Sequence, residues 1–229
     1  MLTLAEEFLL LALDDHTGKK SVDSTRVGAA LAGAAIVELT LSGALRLTEA
    51  GDPEHKPGRL VATGRQPAEP RLADLVAVAD GRKPKDAVSK AAGFGSWRSR
   101  AKNLQDTLLE DLAGAGYLTE AKGKILGLFP TTLWKPADPA VEAAIMTRVR
   151  AVVVDGATPD DRTATLISLA HAVDLLPKLF PDIDKRTVKQ RGKAISESDW
   201  GGQAVRRAVQ EIQTVTVAII SVVAASAAS

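Results

Sequence analysis

Between Val27 and Val37 the chain reads VGAALAGAAIV, without one charged side chain. A helix that is apolar around its whole circumference has no face to offer water, so other helices must enclose it. Its small residues, among them Gly28, Ala29, Ala32, Gly33 and Ala34, let those neighbours approach closely. The run is shorter than the roughly 20 apolar residues that a bilayer span needs. The stretch Val27–Leu47 therefore predicts the central helix of a helical domain. Asp23 or Ser24 is the expected N-cap, and Ser42-Gly43 the expected stop.

What can surround such a helix is limited by composition. Aromatic residues make up only 3% of the 229 residues, so the core must be built from Ala, Leu, Val and Ile. Few β-branched runs alternate with polar residues, which favours helices over strands. The expected fold is mainly α: one domain over residues 1–229, central helices ringed by amphipathic ones, and one protruding β-hairpin. There is no cysteine, which excludes disulfides, thiolate metal sites and cysteine nucleophiles. Glu6 and Glu7 interrupt the first apolar stretch too early for a signal peptide, so a cytoplasmic chain is expected.

Taken in order, Leu2–Leu13 predicts a helix with a capping box of Thr3 and Glu6. The Asp14-Asp15-His16-Thr17-Gly18 run reads as its stop signal. Ala44–Thr48 and Arg59–Thr63 predict short strands, the second inside a loop over about 49–70. Arg71–Asp80, Lys85–Ala92 and Ser96–Ala113 predict helices. A hairpin follows over about 117–134, with Lys122-Gly123 as its turn. Ala140–Val154, a Thr158-led helix through Leu176, and Asp184–Ile195 complete the ring. His171 falls on the apolar face of its helix, where a hydrogen-bonded core histidine is expected. The uncharged end Thr214–Ser229 predicts a helix docked on the core.

The net charge of +1 conceals segregation. Residues 56–102 carry 11 Lys/Arg against 4 Asp/Glu, a net +7, whereas residues 103–184 carry 7 against 12, a net −5. A basic face draws anionic partners. Arg98, Arg100 and Lys102 sit at the start of a helix, where the dipole favours anions instead, an arrangement that invites a binding explanation. No phosphate loop, dinucleotide fingerprint or nucleophile elbow occurs, and no His pair has metal-ligand spacing. Neither an enzyme, a metal nor a cofactor is expected.

Four stretches, in order, resemble the Golgi phosphoprotein 3 family: LTLAEEFLLLALDDHTG (Leu2–Gly18), LAGAAIVELTLSGAL (Leu31–Leu45), LLEDLAGAGYLTEAKGKILGLF (Leu108–Phe129) and LISLAHAVDLLPKLF (Leu166–Phe180). The resemblance implies a non-enzymatic peripheral membrane protein of bacterial type. Eukaryotic members bind phosphatidylinositol 4-phosphate and use the apolar hairpin tip for membrane contact or self-association. Here the hairpin residues assigned to that membrane or self-association contact are Ile125, Leu126, Leu128 and Phe129, in the return strand. Where the family has a Trp before the buried helix and an Arg inside it, this chain has Asp23 and Ala32. Two family Arg residues correspond to Lys102 and Gln105. Only Lys102 keeps a positive charge, so Arg98 and Arg100 become candidates for a substitute, less selective anionic site.

The resulting expectation is a protein that binds anionic phospholipid or phosphoinositide headgroups with altered specificity, peripheral on the cytoplasmic membrane face. Two alternatives stand beside it. One is a winged-helix-like nucleic-acid binder, in which the hairpin is the wing, against which the acidic second half of the preceding helix argues. The other is a scaffold that self-associates through the hairpin into a homo-oligomer, without a lipid ligand.

Overall fold

The computed structural model describes residues 2–14, 17–18, 21–67, 69, 72–93, 100–125, 129–197 and 203–227. Among them are ten helices and two antiparallel strand pairs. The fold is mainly helical with one long hairpin, as the sequence predicts.

Helix α2 (Ser24–Leu41) forms the centre. Asp23 caps it by accepting from the backbone N–H groups of Thr25 and Arg26, and every residue from Val27 to Val37 is buried. Helix α1 (Leu4–Ala12) is buried along its entire length, including Glu6 and Glu7. The two acids are tolerated for different reasons. Glu6 completes the capping box, its carboxylate 2.7 Å from the Thr3 N–H. Glu7 is matched by arginines from distant helices, described below.

After α2, strands β1 (Leu45–Leu47) and β2 (Leu60–Ala62) pair antiparallel, with Leu47 opposite Leu60. Helices α3 (Ala73–Ala79) and α4 (Pro84–Ala91) follow, then α5 (Arg100–Gly114), which packs on α2 through Leu108, Leu109 and Leu112. Strands β3 (Leu118–Ile125) and β4 (Phe129–Pro136) form the hairpin. The ring closes with α6 (Pro139–Val153), α7 (Asp161–Ala172), α8 (Leu176–Leu179) and α9 (Lys185–Glu197). Last comes α10 (Gln203–Ala227), which lies along α2. Their contact is close because Gly33 has no side chain: a Cβ there would meet Thr216 Oγ1 at 2.5 Å.

Two sequence expectations need correction. Lys122-Gly123 is not the hairpin turn: Lys122 pairs with Thr132 and Gly123 with Thr131 inside the ladder, and the strands run on to Ile125 opposite Phe129. Gly123 is there for space, since a Cβ would lie 2.6 Å from the Leu133 side chain. Nor does α7 run through Leu176. It stops at Ala172, and Asp174 turns the chain at φ 60 with its N–H bonded to the His171 carbonyl. Aspartate tolerates this left-handed conformation, so the stop carries no glycine to announce it.

Candidate functional site

Arg100 and Lys102 stand in the first turn of α5, while Arg98 lies outside the described residues. The twelve residue steps from Lys102 to Gly114 span roughly 18 Å of helix axis. At the far end Tyr117 N–H bonds to the Leu112 carbonyl, and the hairpin begins. The candidate cations and the base of the hairpin are therefore held at opposite ends of one helix.

The hairpin is rooted at that base. Leu118 is buried, Ala137 N–H bonds to the Tyr117 carbonyl, and Trp134 N–H bonds to the Gly18 carbonyl. Gly18 has φ 65, and a Cβ there would come within 2.9 Å of the Trp134 carbonyl oxygen, so glycine is required twice over. Beyond Leu118 the side chains become exposed or half-exposed: Thr119, Glu120 and Lys122 on β3, Thr132 and Lys135 on β4. Among the described residues, these side chains of the hairpin face solvent. Of the expected tip residues, Ile125 and Phe129 form the last described pair, and Leu126 and Leu128 lie outside the described residues.

The positions that the family resemblance ties to a phosphate pocket hold other roles here. Ala32 is fully buried in the core, and Asp23 is committed to capping α2. Gln105 is 2% exposed, with its Nε2 buried and without a hydrogen-bond partner among the described residues. None of the three presents a cation.

Cations are available elsewhere in the basic segment. Arg59 and Arg82 are spent on structure, donating to the Gly81 carbonyl and to the Val78 carbonyl at the end of α3. Lys56, Lys83, Lys85 and Lys90 are exposed and form no ion pair among the described residues. The basic helix α9 differs. Lys189 binds Asp174 at 2.6 Å, Arg191 donates to the Val153 and Val154 carbonyls at the end of α6, and Lys193 faces Glu197 at 3.9 Å. Positive charge on α9 is partly consumed by the fold, whereas that on α4 is left to solvent.

Sequence reasoning missed a buried ionic cluster. Arg162 at the start of α7 lies 3.3 Å from Glu7 and 2.9 Å from Glu38, and donates to the Leu2 carbonyl at 2.5 Å. Arg148 of α6 reaches Glu7 at 2.6 Å. The cluster joins α1, α2, α6 and α7 beside a cavity of about 390 Å³ lined by Leu2, Val141 and Ile145. Burial alone would raise the Asp160 carboxyl. Hydrogen bonds from Thr163 and the charges of Arg148 and Arg162 instead hold it below the usual carboxylate range. Acids and arginines balance here, so the arrangement fastens four helices rather than attracting an anion. The advance signal was Glu7, an acid of the apolar helix α1 that the capping box does not account for.

His171 is half-buried against α9, where a Cβ on Gly192 would meet its Nδ1 at 2.9 Å. Burial holds its pKa below that of a free imidazole, outweighing the Asp174 charge. Asp14 lies in the stop-signal run, and Asp15 and His16 lie outside the described residues. Among the described residues no three His, Asp or Glu side chains gather as metal ligands.

Among the described residues, two helices are long and apolar enough to cross a membrane. One is α2, 72% buried in this domain; the other is Arg207–Ser226 within α10, 39% buried. A family model described as Golgi phosphoprotein 3 (GPP34) matches residues 4–212.

Proposed function

The chain belongs to the Golgi phosphoprotein 3 family, and from that premise we propose that it is a non-enzymatic peripheral membrane protein that binds anionic phospholipid headgroups. The observation that carries the reading is the exposed cationic surface of the basic segment, with Lys56, Lys83, Lys85 and Lys90 free of ion pairs among the described residues. Arg98, Arg100 and Lys102 extend that segment toward the start of α5. Each basic residue near an anionic membrane contributes about 1 kcal/mol, so several must act together.

The hairpin supplies the second contact. It is rooted in the core, and the apolar stretch assigned to this contact is Ile125, Leu126, Leu128 and Phe129. Insertion of such apolar side chains into the headgroup region complements electrostatic attraction. Headgroup specificity differs from that of the eukaryotic members, because Asp23, Ala32 and Gln105 offer no charge-assisted donors to a phosphate. The protein acts on the cytoplasmic face of the membrane.

Co-sedimentation with vesicles tests the reading. The full chain is expected to pellet with anionic vesicles and not with neutral ones, and Lys102→Glu is expected to weaken binding. Equal recovery on neutral vesicles, or no recovery at low salt, overturns it. A salt-sensitive shift of mixed-sequence duplex DNA would favour the nucleic-acid alternative. A loss of oligomer mass in Leu128→Asp, without any vesicle binding by the parent, would favour the scaffold.

A further inference from the structure

Helix α10 is half core and half surface. Its inner face buries Val209, Ile212, Thr216 and Ile220 against the domain. Its outer face exposes Val217 at 37% and Val222 at 70%, the exposed large hydrophobic residues among those described. Burial explains the apolar character of α2; it does not explain that of α10, whose span-length stretch is only 39% buried. The outer strip begins beyond residue 212, where the family match ends.

Two observations bear on what covers it. First, Val222 lines a groove of about 270 Å³ between α10 and α4, and Lys85 forms part of its wall. Lys83 and Lys90 are exposed on and beside the same helix α4, where Asp86 is the one acid. Second, the exposed hydroxyls of Thr214 and Ser221 donate to carbonyls of their own helix, at 2.8 and 2.9 Å, and so need no water. An apolar helix face bordered by the cations Lys83, Lys85 and Lys90, with its hydroxyls bonded within the helix, complements an anionic bilayer surface.

We propose that the outer face of α10 from Val217 onward is a second membrane contact, lying in the headgroup boundary of an anionic bilayer with Lys85 at its rim. This rests on the lipid-surface reading above and adds an anchor distinct from the hairpin. The helix lies in the interface and does not cross the bilayer, because its inner face remains docked on α2.

The absence of native cysteine makes a direct test simple. Val222→Cys and, as a control, Asp155→Cys are labelled with an environment-sensitive nitrobenzoxadiazole dye and mixed with anionic vesicles. A blue shift at position 222 and none at 155 is the expected result. In unlabelled protein, Val222→Asp should lower the vesicle partition coefficient by about tenfold or more, the equivalent of withdrawing one buried valine. If the parent chain fails to bind anionic vesicles, both the lipid reading and this inference fall. If the parent binds but the dye at 222 does not shift and Val222→Asp binds as well as the parent, only this inference falls. A shift that follows protein concentration without vesicles assigns the strip to a second copy and likewise overturns it.

Discussion

Replacing Gly33 by alanine tests how α10 is held. A new Cβ would lie 2.5 Å from Thr216 Oγ1 and 2.6 Å from Thr216 Cγ2. Thr216 has no freedom to move aside: it is fully buried, and its hydroxyl donates to the Ile212 carbonyl at 2.7 Å. Overpacking of this kind costs up to about 3 kcal/mol, and exchanging glycine for alanine inside a helix returns about 1. The net loss is about 2 kcal/mol, or roughly 4–8 °C in Tm for a chain of this size. Thr216→Ala removes both clashing atoms, so the double variant should be more stable than Gly33→Ala alone. Urea denaturation of the parent, both single variants and the pair gives the coupling energy, expected at roughly 1–3 kcal/mol. Additivity within about 0.5 kcal/mol would refute the reasoning, because it would mean that α2 and α10 do not meet at these residues.

Other expectations follow from named contacts. Arg162→Met leaves Glu7 and Glu38 without their shared partner and should cost about 3 kcal/mol in chemical denaturation, in the range seen when one member of a buried pair is removed. Thr3→Ala removes the capping box of α1 and should cost about 1 kcal/mol by the same measurement. His171 is held below its free pKa in the folded state, so the unfolded chain takes up the proton first as pH falls. Stability should therefore decline from about pH 6.5 downward to the folded-state pKa, and His171→Gln should flatten that part of the pH profile measured by thermal melting.

Much of the architecture was legible in the sequence because it rests on local chemistry. The uncharged run after Asp23 predicted a buried helix, and Thr3 with Glu6 predicted the start of α1. What escaped was long-range or unmarked. Glu7 gave no hint that its partners would be Arg148 and Arg162, more than a hundred residues away. Gly123 looked like a turn because glycine serves turns and crowded strands alike; only the Leu133 side chain opposite distinguishes them. Asp174 ends α7 in a conformation usually taken by glycine, so the boundary lacked its usual mark. At the candidate site, the sequence placed Arg100 and Lys102 at the head of a helix. It did not show that the lysines of α4 stand exposed while those of α9 are partly engaged in structural contacts.

The most direct measurement of the central claim is the partition of the intact chain onto vesicles with and without phosphatidylserine as salt is raised. Binding through several exposed lysines predicts preference for the anionic vesicles and progressive release by salt. Reversing one contributing charge, as in Lys102→Glu, should lower affinity by roughly 30-fold at low salt, since it removes one attraction of about 1 kcal/mol and adds a repulsion of similar size. Equal partition onto neutral vesicles, or binding that salt leaves unchanged, would contradict the account.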